Sequence, residues 1–129
     1  MERHIRETLI QLGQKMGFSD LGTNERGILH LSIAHVGELF IDIQQPHIFL
    51  YLLNQFSTIN FELISTAYLF CEEKAKYAFI TNPVMRDGDI LGFAIKVKEE
   101  NFTPIVLENA INQLIDMAAR LKQFADNFQ

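Results

Sequence analysis

The side chains able to do chemistry in this chain are four histidines, a single cysteine and a scatter of carboxylates. A zinc site on a helix needs two histidines spaced so that both imidazoles reach one metal, as in HExxH. His4, His30, His35 and His47 show no such spacing, and His30 and His35 straddle the end of an extended segment, where turn or solvent-facing roles suffice. No Gly-rich phosphate loop, dinucleotide fingerprint or nucleophile-elbow serine occurs, so nucleotide and elbow-serine hydrolase chemistry lack an anchor. Cys71 lies next to Phe70 and near Tyr68, company that suits a small buried hydrophobe better than a reactive thiolate. The sequence therefore predicts no catalytic residue, no metal site, no cofactor and no enzyme.

What must position these side chains is one domain over residues 1–129, long enough to bury a real core. A net charge of −5 makes nucleic acid a poor partner, because phosphate binding draws on clustered Lys and Arg. No stretch approaches the ~18 apolar residues of a membrane span, and the Met-Glu-Arg-His opening carries no apolar secretory signal. A lone cysteine excludes a disulfide framework. The expected location is the cytoplasm, with no membrane partner.

Periodicity gives the elements. Glu2 to Met16 reads as a helix with Ile5, Leu9, Leu12 and Met16 on one stripe, closed by Gly17; Ser19 to Gly27 reads as a loop. Strands follow over Ile28–Ala34, Glu38–Gln44 and His47–Leu53, each alternating apolar and polar residues. The period turns helical from about Asn60 to Ala75. A short strand over Tyr77–Thr81 is expected to end at Asn82-Pro83, then Asp87-Gly88 turns the chain into a strand over Ile90–Val97. Thr103-Pro104 opens a long last helix, with Thr as N-cap and Pro at the first helical position. The order α-β-β-β-α-β-β-α predicts an α+β fold, a twisted antiparallel sheet with flanking helices.

Two features exceed what a core of this size needs. On a helical wheel the middle helix carries Phe61, Ile64, Tyr68 and Cys71 on one side and Leu63, Ala67 and Phe70 on nearly the opposite one. A helix with two apolar sides needs two partners: either both lie within one monomer that sandwiches the helix, or one is the domain's own sheet and the other a second copy. The expectation is the second, with Leu63, Ala67 and Phe70 as the dimer interface. The strand face opposite Leu29, Leu31, Ile41, Ile43, Leu50 and Leu52 carries Ile28, Phe40, Phe49 and Tyr51, aromatic residues on a face expected to be wet. Either a binding surface lies there or the last helix covers it.

The opening Leu9-Ile10-Gln11-Leu12-Gly13-Gln14-Lys15-Met16-Gly17-Phe18, the first strand Gly27-Ile28-Leu29-His30-Leu31-Ser32-Ile33 and the Asn101-Phe102-Thr103-Pro104 entry into an Ile-, Leu- and Ala-rich helix resemble the class I type III secretion chaperones, the Tir-chaperone type. The resemblance spans nearly the whole chain. It implies a bacterial cytoplasmic homodimer, joined largely through the middle helix. Such a dimer binds an extended, non-globular N-proximal segment of one or more secreted effector proteins, which adds a strand to the sheet edge. Release is left to the ATPase of the secretion machine. The partner surface is then expected on Ile5 and Leu9 of the first helix together with Ile28, Phe40, Phe49 and Tyr51. Asp87-Gly88-Asp89-Ile90 onward also resembles a bacterial stress-related family of the YbjN type, with no secretion role; the glycine-ended first helix favours the chaperones. A small-ligand enzyme on the same α+β sheet is the remaining alternative, and it would need a buried polar pocket.

Overall fold

The computed structural model describes residues 3–17 and 27–127. Helix α1 (Arg3–Met16) is followed by strands β1 (Ile28–Ile33), β2 (Gly37–Gln44) and β3 (His47–Gln55), helix α2 (Phe61–Cys71), strands β4 (Thr81–Arg86) and β5 (Ile90–Lys98), and helix α3 (Pro104–Asn127). Local signals set the helix ends. Gly17, at φ +82°, takes the left-handed conformation that closes a helix without a Cβ penalty. The Asn60 side chain accepts the Leu63 N–H at 2.9 Å, and the Thr103 hydroxyl accepts the Val106 N–H at 3.3 Å, each satisfying an orphan donor of a first turn. The loop expected from Ser19 to Gly27 falls almost wholly at positions 18–26, outside the described residues.

The five strands form one open, twisted antiparallel sheet in the order β1-β2-β3-β5-β4. Leu29, Ile41, Leu50 and Ile95 stand side by side across four strands, and Leu31, Leu39, Leu52 and Phe93 form the next row. Every one of these side chains is buried. α3 covers this face with Leu107, Ala110, Ile111, Leu114, Met117, Ala118 and Leu121, and α1 adds Ile5, Leu9 and Leu12, so a single apolar cluster joins the helices to one side of the sheet. Fully burying each such Leu or Ile contributes about 1.5–3 kcal/mol. β3 and β5 approach so closely at Gly92 that a Cβ there would run into the Leu52 carbonyl oxygen; only glycine fits.

Three expectations are corrected. The fourth strand does not span Tyr77–Thr81 and stop at Asn82-Pro83; it begins at Thr81 and runs through Pro83 to Arg86. β4 is an edge strand, where a residue with no N–H to donate is tolerated. The stretch after Pro83 is accordingly strand, closed by a tight Asp87-Gly88 turn with both residues at positive φ. Ile5 and Leu9 are not partner-facing: at 0% and 2% exposure they are core residues of α1. The apolar sides of α2 also divide differently, with Phe70 and Cys71, one from each expected side, both partly packed against the core. Leu63 and Ala67, expected at a dimer interface, are 2% and 0% exposed and belong to the core, while Phe61 and Tyr68 face outward.

Candidate partner-binding surfaces

The face of the sheet away from the helices is built by the alternate residues of the same strands. Ile28, Asp42, Phe49 and Lys96 form one cross-strand row, and His30, Phe40, Tyr51 and Ala94 the next. Because α3 lies on the opposite side, Ile28, Phe40, Phe49 and Tyr51 are covered by neither long helix and remain half-buried among their own neighbours. The rings are ordered. His30 stacks on Phe40 with centroids 4.4 Å apart, Phe49 stacks on Tyr51 at 6.2 Å, and His47 leans against Phe49 at 6.4 Å. The Arg86 guanidinium lies 5.4 Å from the centre of the Tyr51 ring. Rings held by their neighbours lose little freedom when a partner covers them, the property that makes aromatic side chains effective anchors.

Polar groups frame this ridge. On the β1–β2 side, Glu38 accepts the Ser32 hydroxyl at 2.6 Å and lies 2.9 Å from His30 Nε2. A carboxylate only accepts, so Nε2 carries the proton in that contact. The Ser32 hydrogen bond, then that of His30, holds the Glu38 carboxyl below the ordinary carboxylate value. Asp42 accepts the Gln44 amide at 2.7 Å. Partial burial, then the Asp42 charge, pushes the Tyr51 phenol upward against the opposing effect of Arg86; Tyr51 therefore stays a neutral hydrogen-bonding tip. On the β4–β5 side stand Arg86, Lys96 and Lys98, all exposed.

A second surface is the outer side of α2. Phe61, Tyr68 and Leu69 are 79%, 57% and 61% exposed, and Ile80, in the connection to β4, is 84% exposed. Four large apolar side chains left open on one helix and its exit are unusual for a small domain and make this a candidate interaction surface. Phe70, also expected at a dimer contact, is half-buried, with the Arg120 guanidinium 4.1 Å from its ring centre. Arg120 grips Glu73 with two bonds of 2.8 and 3.1 Å and donates to the Tyr77 hydroxyl at 2.7 Å. Tyr77 in turn donates to Asp116 at 2.6 Å. Burial, then that bond, pushes its phenol up to about 12. The Gln113 amide both donates to and accepts from the Phe79 backbone and reaches the Thr81 hydroxyl at 2.7 Å. These bonds pin the chain from Glu73 to Thr81 onto α3, which is why its alternation resembles a strand without being one.

An apolar groove of about 420 Å³ runs between α1 and α3, lined by Thr8, Leu12, Met16, Ile105, Ile111 and Ile115 among others. Lys15 and Glu108 bridge it at 2.7 Å. Sequence reasoning missed the outward turn of Leu69 and the cations beside the aromatic ridge, although the Lys96–Lys98 alternation with Ile95 and Val97 carried the second signal. Among the described residues no three His, Cys, Asp or Glu side chains converge as a metal site, and no helix is long and apolar enough to cross a membrane.

By sequence the chain matches no family model and no curated protein. By structure it superimposes on a chain of the ExsC–ExsE complex with a TM-score of 0.79, at 11% identity, over 97% of both chains. A chain of the complex between the Yersinia pestis type III secretion chaperone SycH and a stable fragment of YscM2 gives 0.68 at 15% identity, over 91% of this chain and 98% of that one. YbjN from E. coli gives 0.59 at 16% identity, over 95% and 92%. Likeness at such low identity establishes the fold, and the fold is the one expected from the resemblance.

Proposed function

We propose that this chain, which has the fold seen in type III secretion chaperone complexes, is itself such a chaperone: a bacterial cytoplasmic homodimer that holds an extended segment of a secreted effector and keeps it secretion-competent, with no turnover of its own. The observation that carries this reading is the aromatic ridge of Phe40, Phe49 and Tyr51 on the sheet face that neither α1 nor α3 covers. An extended polypeptide suits such a face because alternate side chains can meet the ridge while its backbone pairs at an outer strand; among the described residues the outer strands are β1 and β4, and Pro83 removes a donor from β4. Structural neighbours solved in complexes of two proteins support the same reading. The exposed side of α2, with Phe61, Tyr68 and Leu69, is the surface we assign to the second copy, in place of Leu63 and Ala67. The ATPase of the secretion machine then acts on the bound complex.

The test is Phe49→Ser. Phe49 stands outside the helix-covered core, so the folded chain should melt within a few degrees of wild type, whereas partner affinity should fall by about 1–3 kcal/mol if the ring is an anchor. Thermal denaturation beside a pulldown from the source bacterium reads both. A large loss of melting temperature with the partner retained by the surviving folded protein would sink the proposal. Recovery of no secreted partner by the wild-type chain would favour a YbjN-type role outside secretion.

A further inference from the structure

The ridge on the open sheet face divides two kinds of charge. Glu38 and Asp42 stand on β2, on one side of Phe49 and Tyr51; Arg86, Lys96 and Lys98 stand on β4 and β5, on the other. The two carboxylates are already engaged, Glu38 by Ser32 and His30 and Asp42 by Gln44. The cations are not: among the described residues neither lysine has an ion-pair partner, and Arg86 meets only the face of Tyr51. On a chain with 16 acidic residues against 11 basic ones, three cations without an ion-pair partner among the described residues line one side of the aromatic ridge, with Asp87 and Asp89 beyond the end of β4 and Glu99 and Glu100 beyond the end of β5.

Resting on the partner-binding reading above, we infer that the segment held on this face carries acidic residues next to its apolar anchors. Its side chains sit over Phe49 and Tyr51 and its carboxylates over Lys96, Lys98 and Arg86. Charge complementarity fixes which way such a segment lies, because the opposite orientation sets its carboxylates against Asp42 and Glu38. Rings and cations on a sheet also suit single-stranded nucleic acid. The carboxylates of the same face and the net charge of −5 oppose a phosphate backbone, so a polypeptide is the occupant we assign.

The experiment is selection of a displayed random peptide library on the full chain, repeated on Lys96→Glu/Lys98→Glu and on Phe49→Ser, with fluorescence anisotropy of the selected peptides and of oligo-dT. Wild type should enrich peptides with Asp or Glu beside Leu, Ile or Phe, and the double charge reversal should weaken them by about five- to tenfold at low salt, an effect that shrinks as salt is raised. Phe49→Ser should weaken acidic and neutral peptides alike. Enriched peptides that need Phe49 but lack acidic residues, or that bind the charge-reversed chain equally well, overturn this inference and leave the partner-binding reading standing. Peptides indifferent to Phe49→Ser, or no enrichment at all, overturn both. Oligo-dT bound more tightly than the selected peptides, in a manner dependent on Lys96 and Lys98, replaces the polypeptide with nucleic acid.

Discussion

Single side chains on this chain behave as their surroundings dictate rather than as their types suggest. Cys71 is the clearest case. Burial, then the neighbouring Glu72 carboxylate, pushes its thiol up to about 11, so the reactive thiolate is scarce near neutral pH. Ellman's reagent at pH 8 should therefore modify the native protein about 50-fold or more slowly than the urea-unfolded chain; equal rates would mean that the thiol is open and unperturbed. Glu38 shifts the other way, held low by the Ser32 and His30 hydrogen bonds. A carboxylate whose folded value is depressed stabilises the fold above its unfolded value and loses that contribution as pH falls through the folded one. The melting-temperature gap between wild type and Glu38→Gln should accordingly be present at pH 7 and close below about pH 4. A gap unchanged across that range would show that the carboxylate charge plays no part. Cys71 was legible in the sequence from its apolar company; Glu38 was not, because its partners come from β1, across a strand pair.

At the scale of elements, alternation in β1 to β3 and β5 identified the strands and their inner face correctly, since a strand covered on one side must repeat every second residue. The same rule misled at Tyr77, Phe79 and Thr81. Tyr77 and Phe79 alternate with exposed neighbours because both rings pack against the core, while the Tyr77 hydroxyl meets Asp116 and Arg120 and the Phe79 backbone meets Gln113 of α3. The strand starts only at Thr81. α2 shows a different limit. A wheel with apolar residues on both sides cannot say which side is inward, and the small Ala67 beside Leu63, which lets the helix seat closely, proved to mark the core. Opposite outcomes follow for two glutamate substitutions on this helix. Ala67→Glu buries a charge without a partner and should unfold the chain, at a cost of several kcal/mol. Leu69→Glu should leave the fold intact and shift a dimer of the 14.8 kDa chain toward monomer in sedimentation velocity. A Leu69→Glu protein that sediments as wild type would remove α2's outer side from the dimer contact.

For the whole molecule, the division of labour follows from one fact of layering: α1 and α3 both pack on the same side of a five-stranded sheet. That leaves the other side of the sheet and the outer side of α2 as separate apolar surfaces, one assigned to an extended partner and the other to a second copy. The α1–α3 groove is a third apolar surface and the natural rival for the partner. Photo-crosslinking in the source bacterium separates them directly, with p-benzoylphenylalanine placed at Phe40, Phe49 or Tyr51 on the sheet face and at Ile105 in the groove. The account predicts crosslinks from the three sheet positions to an N-proximal segment of a secreted protein, and few or none from position 105. Crosslinks concentrated at position 105 with none from the sheet, or crosslinks from the sheet only to a second copy of this chain, would contradict it.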